Sequence, residues 1–355
     1  MLSALKLASG IIKDRSPKPI LLSVHIEADA DKVVVRTTNL EMSIRCEIHQ
    51  VQVERAGVCC IKCTTITQCV DTSTSETVAF DTVGDNVVIS DDDSESKIPS
   101  NKVSDFPPDV SHVDDPIASV TLPLATLAAV LKRAMPFTLK STIQVGAPMI
   151  GLLLKAEKGK LTVAGSDGRR LFVDSLPFIG KAAGSVIVPT MAIERLIGIE
   201  AEEVTITMSR NRVVFATDDI TLATSIIDGE FPPYHRIIPE NLDKTFTVSR
   251  EVLVAKVKQS AGFCTEESKG VRFDLSSRGL VVTSRTPEIG SSIINVPGRY
   301  EGEAIEMVMN PTYLLGCLNG GMDEVKLRLI APNFPFLVED GTTATQLVMP
   351  INPQA

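Results

Sequence analysis

Apolar–polar alternations of about four to eight residues, rich in Val, Ile and Thr, recur along most of the chain, and a few helix-period segments interrupt them. ASVTLPLATLAAVLKRAMPFT, near 118, and KTFTVSREVLVAKVKQSAGFCT, near 244, each read as an alternating strand running into an amphipathic helix. MLSALKLASGIIKDR, at the start, gives the helix without the strand. Three strands follow in each copy: PILLSVHIEADADKVVVRTTNLEMSIRCEI, then MIGLLLKAEKGKLTVAGSDGRRLFVDSLP, then GVRFDLSSRGLVVTSRTPEIGSSIINVP. AGVCCIKCTTITQCVDT, GSVIVPTMAIERLIGI and EAIEMVMNPTYLLGCLNG supply a second helix to each, and further strands close each copy. SDFPPD (104–109) and GEFPPY (229–234) fall at matching places, with Pro ending a strand because it has no N–H for the ladder.

The pattern predicts three repeats of one α+β unit, each with two helices packed on antiparallel sheet, over 1–116, 117–240 and 241–355. Three such units present many strand edges. Sheet continuation from repeat to repeat, or closure into a ring, would cover them.

Composition makes the core aliphatic, since aromatic residues are 4% and Trp is absent. The net charge of −9 argues against a nucleic-acid binder only until it is divided. Residues 1–116 carry 11 Lys and Arg against 19 Asp and Glu, residues 117–240 carry 13 against 12, and residues 241–355 carry 11 against 13. The acidity therefore sits in the first third, partly in Asp91, Asp92, Asp93 and Glu95, a run that reads as a solvated turn. The longest apolar stretch, 117–131, contains Pro123 and is too short to span a bilayer, so no membrane association is expected. Seven Cys and no secretory leader point to free thiols in a reducing, cytoplasmic setting.

Catalytic motifs are missing. No phosphate-binding glycine loop follows a strand, and His25, His49, His112 and His235 stand beside no recognisable nucleophile. Asp167, in GSDGRR (165–170), reads as a turn residue capping backbone N–H groups. A site built from Asp167, Arg169 and Arg170 is the enzymatic alternative. Cys59, Cys60 and Cys63, with Cys46, Cys69 and His49 nearby, supply another alternative, a cytosolic metal or redox protein, although a second ligand pair at zinc spacing is not evident. No cofactor is expected. Basic residues recur on the first helix of each repeat: Lys6, Lys13 and Arg15, then Lys132 and Arg133, then Lys256 and Lys258. Gathered on one side of a curved assembly, they would neutralise phosphates without reading bases.

AGSDGRRLFV (164–173), DGEFPPYHRIIP (228–239), MNPTYLLGCL (309–318) and QLVMPI (346–351), in this order and over essentially the whole chain, resemble the bacterial sliding clamps, the beta subunits of DNA polymerase III. The resemblance implies a non-catalytic processivity factor, a head-to-tail homodimer whose six domains ring duplex DNA with helices facing the hole. Its implied partners are double-stranded DNA, the DNA polymerase III alpha subunit, the clamp loader and other proteins bearing a clamp-binding motif.

It also implies a peptide pocket between the second and third domains. Carried over, the pocket takes Met149, Ser166, Gly168, Arg169, Arg170 and Leu171 from the second domain, and Pro232, Arg236 and Ile237 from the segment after it. Asn310, Tyr313 and Pro335 join from the third domain, with Leu347, Val348, Met349, Pro350 and Ile351 at the end of the chain. Arg170 and Arg236 would hold backbone carbonyls or an acidic peptide residue. Phe106 and Phe263 would pack at the dimer seam, and the basic helix residues would face DNA. Three departures stand out: the first repeat opens on its helix without the leading strand, Ala147 and Pro148 replace an aromatic pair, and Met191 occupies a basic position.

Overall fold

The computed structural model describes residues 1–12, 15–113, 115–140, 147–180, 183–265 and 270–351. Six helices lie among them: α1 (Leu2–Ser9), α2 (Cys63–Thr72), α3 (Leu124–Ala134), α4 (Thr190–Ile197), α5 (Arg250–Ala261) and α6 (Pro311–Cys317). They fall in pairs, two for each copy of the sequence pattern. Nearly all other regular structure is antiparallel strand, as the Val/Ile/Thr-rich alternations require.

The chain divides into two compact units. One comprises Met1–Ala128, Ala156–Gly159 and Pro177–Ile227. Its large sheet runs in the order Gly57–Lys62, Ser23–Ala28, Val33–Thr38, Met42–Ile48, Ile220–Ser225, Arg212–Ala216, Glu203–Met208, Ala118–Pro123. The join between Met42–Ile48 and Ile220–Ser225 pairs strands of different repeats, with Cys46 opposite Ile220 and Ile44 opposite Leu222. Ile44 is 1% exposed and Leu222 is fully buried, so the join is a core contact as well as a ladder. A smaller sheet, Ala79–Val83, Asn86–Ser90 and Glu95–Pro99, completes this unit. Helices α1 and α2 pack on each other, with Leu5, Ala8 and Ile66 fully buried.

The second unit comprises Ala129–Lys155, Lys160–Leu176 and Asp228–Ala355. Its main sheet includes, in order, Arg170–Pro177, Thr345–Val348, Phe336–Glu339, Glu324–Leu329, Lys244–Ser249 and Arg299–Glu301. Here too, strands of two repeats meet, with Arg170 opposite Val348 and Leu171 opposite Leu347. A four-stranded sheet in the order Gly290–Val296, Gly279–Thr286, Val271–Ser276, Ile305–Met309 lies beside α5, which packs on α6. The expected continuation of sheet between repeats is therefore present at two joins.

Charge reinforces the first join. Glu47 is bonded by Lys32 at 2.7 Å and by Arg45, and its backbone N–H donates to the carbonyl of Asp219 across the join at 2.7 Å. Hydrogen bonds from Lys32 and then Arg45 hold the Glu47 carboxyl down at about 2. A depressed carboxyl contributes stability above the ordinary carboxylate range, and that contribution fades as pH falls towards 2. Glu47→Gln is expected to remove the acid-dependent part, on the order of 1 kcal/mol for a partly solvated cluster. Urea midpoints between pH 6 and pH 3 measure it: the variant's midpoint should fall less steeply with acidification than the parent's.

Candidate partner-peptide site

All seventeen residues that the resemblance assigns to the pocket lie in the second unit. The turn that organises them is Ser166–Arg170. Asp167 accepts the backbone N–H groups of Arg169 at 3.0 Å and Arg170 at 2.8 Å, and Gly168 takes φ +81°, open to it without a Cβ clash. Asp167 also binds the Arg170 guanidinium at 3.0 and 2.9 Å. Asp167 is thus a turn residue with its carboxylate engaged, which removes the catalytic alternative built on it.

Arg170 is 9% exposed. Its guanidinium lies 4.7 Å from the Tyr313 ring centre and 5.2 Å from that of Phe137, and it donates to the Pro136 carbonyl at 2.6 Å. A Cβ on residue 316 would sit 2.5 Å from Arg170 Nη1, so the missing side chain of Gly316 makes room for the guanidinium. The Nε and Nη2 donors of Arg170 are spent inside the protein, on Asp167 and the Pro136 carbonyl, which leaves Nη1 as the donor Arg170 could offer a peptide. It is a buried support that holds Tyr313 at the surface.

Other assignments change in the same direction. Leu171, Leu347 and Val348 are fully buried and belong to the core of the inter-repeat ladder rather than to an open wall. Ser166, 7% exposed, donates to the Arg170 carbonyl at 2.8 Å. Asn310, also 7% exposed, caps α6 by accepting the N–H of Thr312 at 2.9 Å. Pro350 is buried. Met149, Tyr313, Pro335, Met349 and Ile351 are half-buried, and Ile237 is 47% exposed. Gly168, Arg169, Pro232 and Arg236 are exposed. The Met349 N–H donates to the Arg169 carbonyl at 2.8 Å, which brings the end of the chain to the turn. Gly229 packs against Pro148, which carries the segment after it towards Met149.

Sequence reasoning missed Phe137 and Asp340. Phe137 and Phe172 meet at 5.5 Å between centroids with their rings tilted by 47°, with Arg170 over one and Arg133 over the other. Asp340 is fully buried and accepts from Arg133, from Thr342 at 2.6 Å and from Gln346 at 3.0 Å. No local motif marks either one, because the arginines they meet, Arg170 for Phe137 and Arg133 for Asp340, lie more than thirty residues away.

Asp340 also corrects an expectation. Arg133, with a side chain only 16% exposed, is turned inward to that carboxylate and is not a DNA-facing cation. Lys6, on α1, is exposed but paired with Asp71 of α2 at 2.6 Å. Arg15, Lys132 and Lys258 are exposed and Lys256 is half-buried, while Lys13 lies outside the described residues. Phe106 packs within the first unit, 5.2 Å from the His25 ring and beneath the Arg36 guanidinium at 5.8 Å.

The cysteine alternative fails on burial. Cys59 is 8% exposed and Cys60 and Cys63 are fully buried; burial pushes the Cys59 thiol up to about 11 and the Cys60 thiol to about 12. Cys59 and Cys60 are adjacent on one strand and so point to opposite faces. No group of three metal-ligating side chains gathers among the described residues. A second groove of the same unit, lined in part by Thr247, Arg299, Glu301, Lys326 and Glu339, is polar and internally ion-paired, and so is unsuited to an apolar peptide. No helix among the described residues is long and apolar enough to cross a membrane.

Repeated two-helix α+β domains whose antiparallel strands pair edge to edge from one repeat to the next define the class of clamp-fold subunits. Models of the N-terminal, central and C-terminal domains of the DNA polymerase III beta subunit match residues 1–111, 118–233 and 235–352. The chain belongs to that family, the beta sliding clamps, which confer processivity on DNA polymerase III without catalysing a reaction themselves. It is 26% identical to the beta sliding clamp of Chlamydia pneumoniae over 355 residues, covering 98% of this chain and 95% of the relative. To that of Escherichia coli K12 it is 25% identical over 362 residues, covering 99% and 97%. A solved sliding clamp from Pseudomonas aeruginosa, bound to griselimycin, shares the fold with TM-score 0.94 and 22% identity over 99% of this chain and 97% of that one.

Breaking one partner of a buried ion pair leaves the other charge unpaired. Asp340→Asn should therefore destabilise the protein by about 3 kcal/mol, and adding Arg133→Met should recover much of the loss. Urea unfolding of both variants checks this; a double variant as unstable as the single one would place the cost elsewhere.

Proposed function

We propose that the chain acts as a head-to-tail homodimer whose six domains close around duplex DNA and tether a polymerase through the surface around Tyr313 and Met349. The observation that carries the closure is a mismatch of edges. The last strand of the second repeat pairs with the third strand of the first, at Ile220–Ser225 on Met42–Ile48. The last strand of the third repeat pairs with the same element of the second, at Thr345–Val348 on Arg170–Pro177. This rule leaves one edge of each kind over: Glu95–Pro99, which ends the first repeat, and Gly290–Val296 in the third. Each is complementary to the other on a second copy, and two such pairings close a ring.

The chemistry of the edges suits this reading. Ile293 is 74% exposed and Ile289 46%. Phe263 sits beside that hairpin, its carbonyl accepting from Thr286 at 2.6 Å, which supports its place at the seam. The half-buried Phe106 and the open edge of the strand Glu95–Pro99 would form the facing side of the seam.

Within the ring, Arg15, Lys132, Lys256 and Lys258, with Lys6, would meet phosphates. Such contacts are independent of base sequence and weaken with salt, so the duplex is held by topology and can slide. The polymerase alpha subunit, the clamp loader and other motif-bearing proteins would share one surface. Met349, Ile351, Ile237 and Pro335 offer apolar contacts there, and Arg169 and Arg236 a cationic rim.

The protein should migrate as a dimer of 38.2 kDa chains and, once loaded, remain on closed circular DNA until the circle is cut. Ile293→Asp should yield monomers and abolish retention. Equal loss of the parent protein from circular and linear DNA would overturn the topological mechanism. For the pocket, Met349→Ala with Ile351→Ala should weaken polymerase binding by roughly tenfold or more while the dimer persists. Deleting the chain from Leu347 would be uninformative, since it removes a buried ladder strand.

A further inference from the structure

The turn beneath the Tyr313–Met349 surface is built twice in this chain. In the second repeat, Ser166 donates to the Arg170 carbonyl at 2.8 Å and accepts the Gly168 N–H at 3.2 Å, while Asp167 accepts the N–H groups of Arg169 and Arg170. In the first repeat, Thr38 donates to the Met42 carbonyl at 2.9 Å and accepts the Leu40 N–H at 3.0 Å. Asn39 there accepts the N–H groups of Glu41 at 3.0 Å and Met42 at 2.8 Å. The incoming chain is tied alike at both joins. The Met349 N–H donates to the Arg169 carbonyl at 2.8 Å and the Ile351 N–H to the Val308 carbonyl at 2.7 Å. Correspondingly, the Ser225 N–H donates to the Glu41 carbonyl at 2.8 Å and the Ile227 N–H to the Ile187 carbonyl at 2.8 Å.

The two frames are alike in backbone and differ in what they present. Gly168 occupies the left-handed position of the second turn, at φ +81°, and Leu40 that of the first, at φ +77°. A residue with a Cβ is strained there where glycine is not, and Leu40, 54% exposed, does not recover that cost by burial. The next position is Arg169 in the second turn and Glu41 in the first, both exposed. Glu41 enters no ion pair among the described residues. Ile226 and Ile227, at the end of the incoming chain, are half-buried. All of these first-join residues lie in the first unit. That join therefore offers an apolar side chain and a free carboxylate where the second offers a glycine and a guanidinium.

We propose that the turn 38–42, with residues 225–227, is a second peptide-binding surface. Its occupant is a partner segment that carries apolar side chains beside a cationic one. The proposal rests on the reading of the Tyr313–Met349 surface only for the premise that this frame receives peptides. Leu40, Ile226 and Ile227 supply the apolar contacts, and Glu41 selects the cation. Complementary charge at a rim discriminates between partners more than it adds affinity, and a like charge there repels the wrong one. With Glu41 at one join and Arg169 at the other, one chain holds two surfaces of the same frame that sort peptides by the sign of their charge.

The test uses the full chain with isoleucine Cδ1 methyl groups labelled for NMR, since Ile227 reports the first join and Ile351 the second. Two acetylated, amidated peptides, SLKLVK and SLELVE, are titrated. SLKLVK should shift the Ile227 signal and bind there about threefold or more tighter than SLELVE, whereas SLELVE should be the tighter at Ile351. Glu41→Arg, an exposed substitution, should reverse the order at Ile227 and leave Ile351 unchanged. Leu40→Gly should weaken SLKLVK at Ile227 by about threefold or more while the urea midpoint is unchanged or raised, because glycine relieves the left-handed backbone. An Ile227 signal that neither peptide moves while Ile351 responds would overturn the proposal, as would an order at Ile227 indifferent to Glu41→Arg. A response at Ile227 with Ile351 silent would support it and sink the reading of the Tyr313–Met349 surface instead. Shifts at Ile227 that grow with protein concentration alone would overturn it in favour of pairing between copies of the chain.

Discussion

A β-strand that ends a sheet leaves a row of N–H and C=O groups without partners, and this chain has many strands in short, separate groups. The arrangement follows from answering that requirement repeatedly in one way: the last strand of a repeat is laid on the third strand of the repeat before it. Met42–Ile48 receives Ile220–Ser225, and Arg170–Pro177 receives Thr345–Val348. The same rule is left unanswered once at each end of the series, and those two unanswered edges are what a ring would join.

The ladders do not stand alone. Across the second of them, Arg133, Phe172, Phe137, Arg170 and Tyr313 form one run of stacked rings and guanidinium groups, closed by Asp167 at one end and Asp340 at the other. Buried arginines are tolerable only because each meets a carboxylate and an aromatic face. The run reaches Tyr313 on α6, which packs on Thr345–Val348, and the Arg169 carbonyl anchors the next residue, Met349. In the proposed peptide site, Met349 and Ile351 would supply adaptable apolar contacts, with this polar run as their support.

Much of the fold was legible in the sequence because period and punctuation are local. The strand-to-helix passages ASVTLPLATLAAVL and KTFTVSREVLVAKV became Ala118–Pro123 with α3 and Lys244–Ser249 with α5. SDGRR became a turn capped by Asp167, as Asp before Gly requires. The site was legible in outline and misread in detail. Arg170 and Arg133 look like surface cations in the sequence, and nothing within a few residues of either reveals the Phe137, Phe172 or Asp340 that receives it. Leu347 and Val348 read as exposed greasy residues near the end of the chain, whereas pairing on both sides makes them core.

Alternation of apolar residues, the positions of Gly and Pro, and the threefold recurrence of one pattern determined what each segment would be, because those preferences act within a few residues of backbone. Which strand would lie on which, and which charges would be spent inside the protein, were decided only in the tertiary structure. The edges at both joins, and the buried Arg133 with Asp340, are satisfied by groups more than a hundred residues away, and the free energy of that pairing exists only once the chain has brought them together.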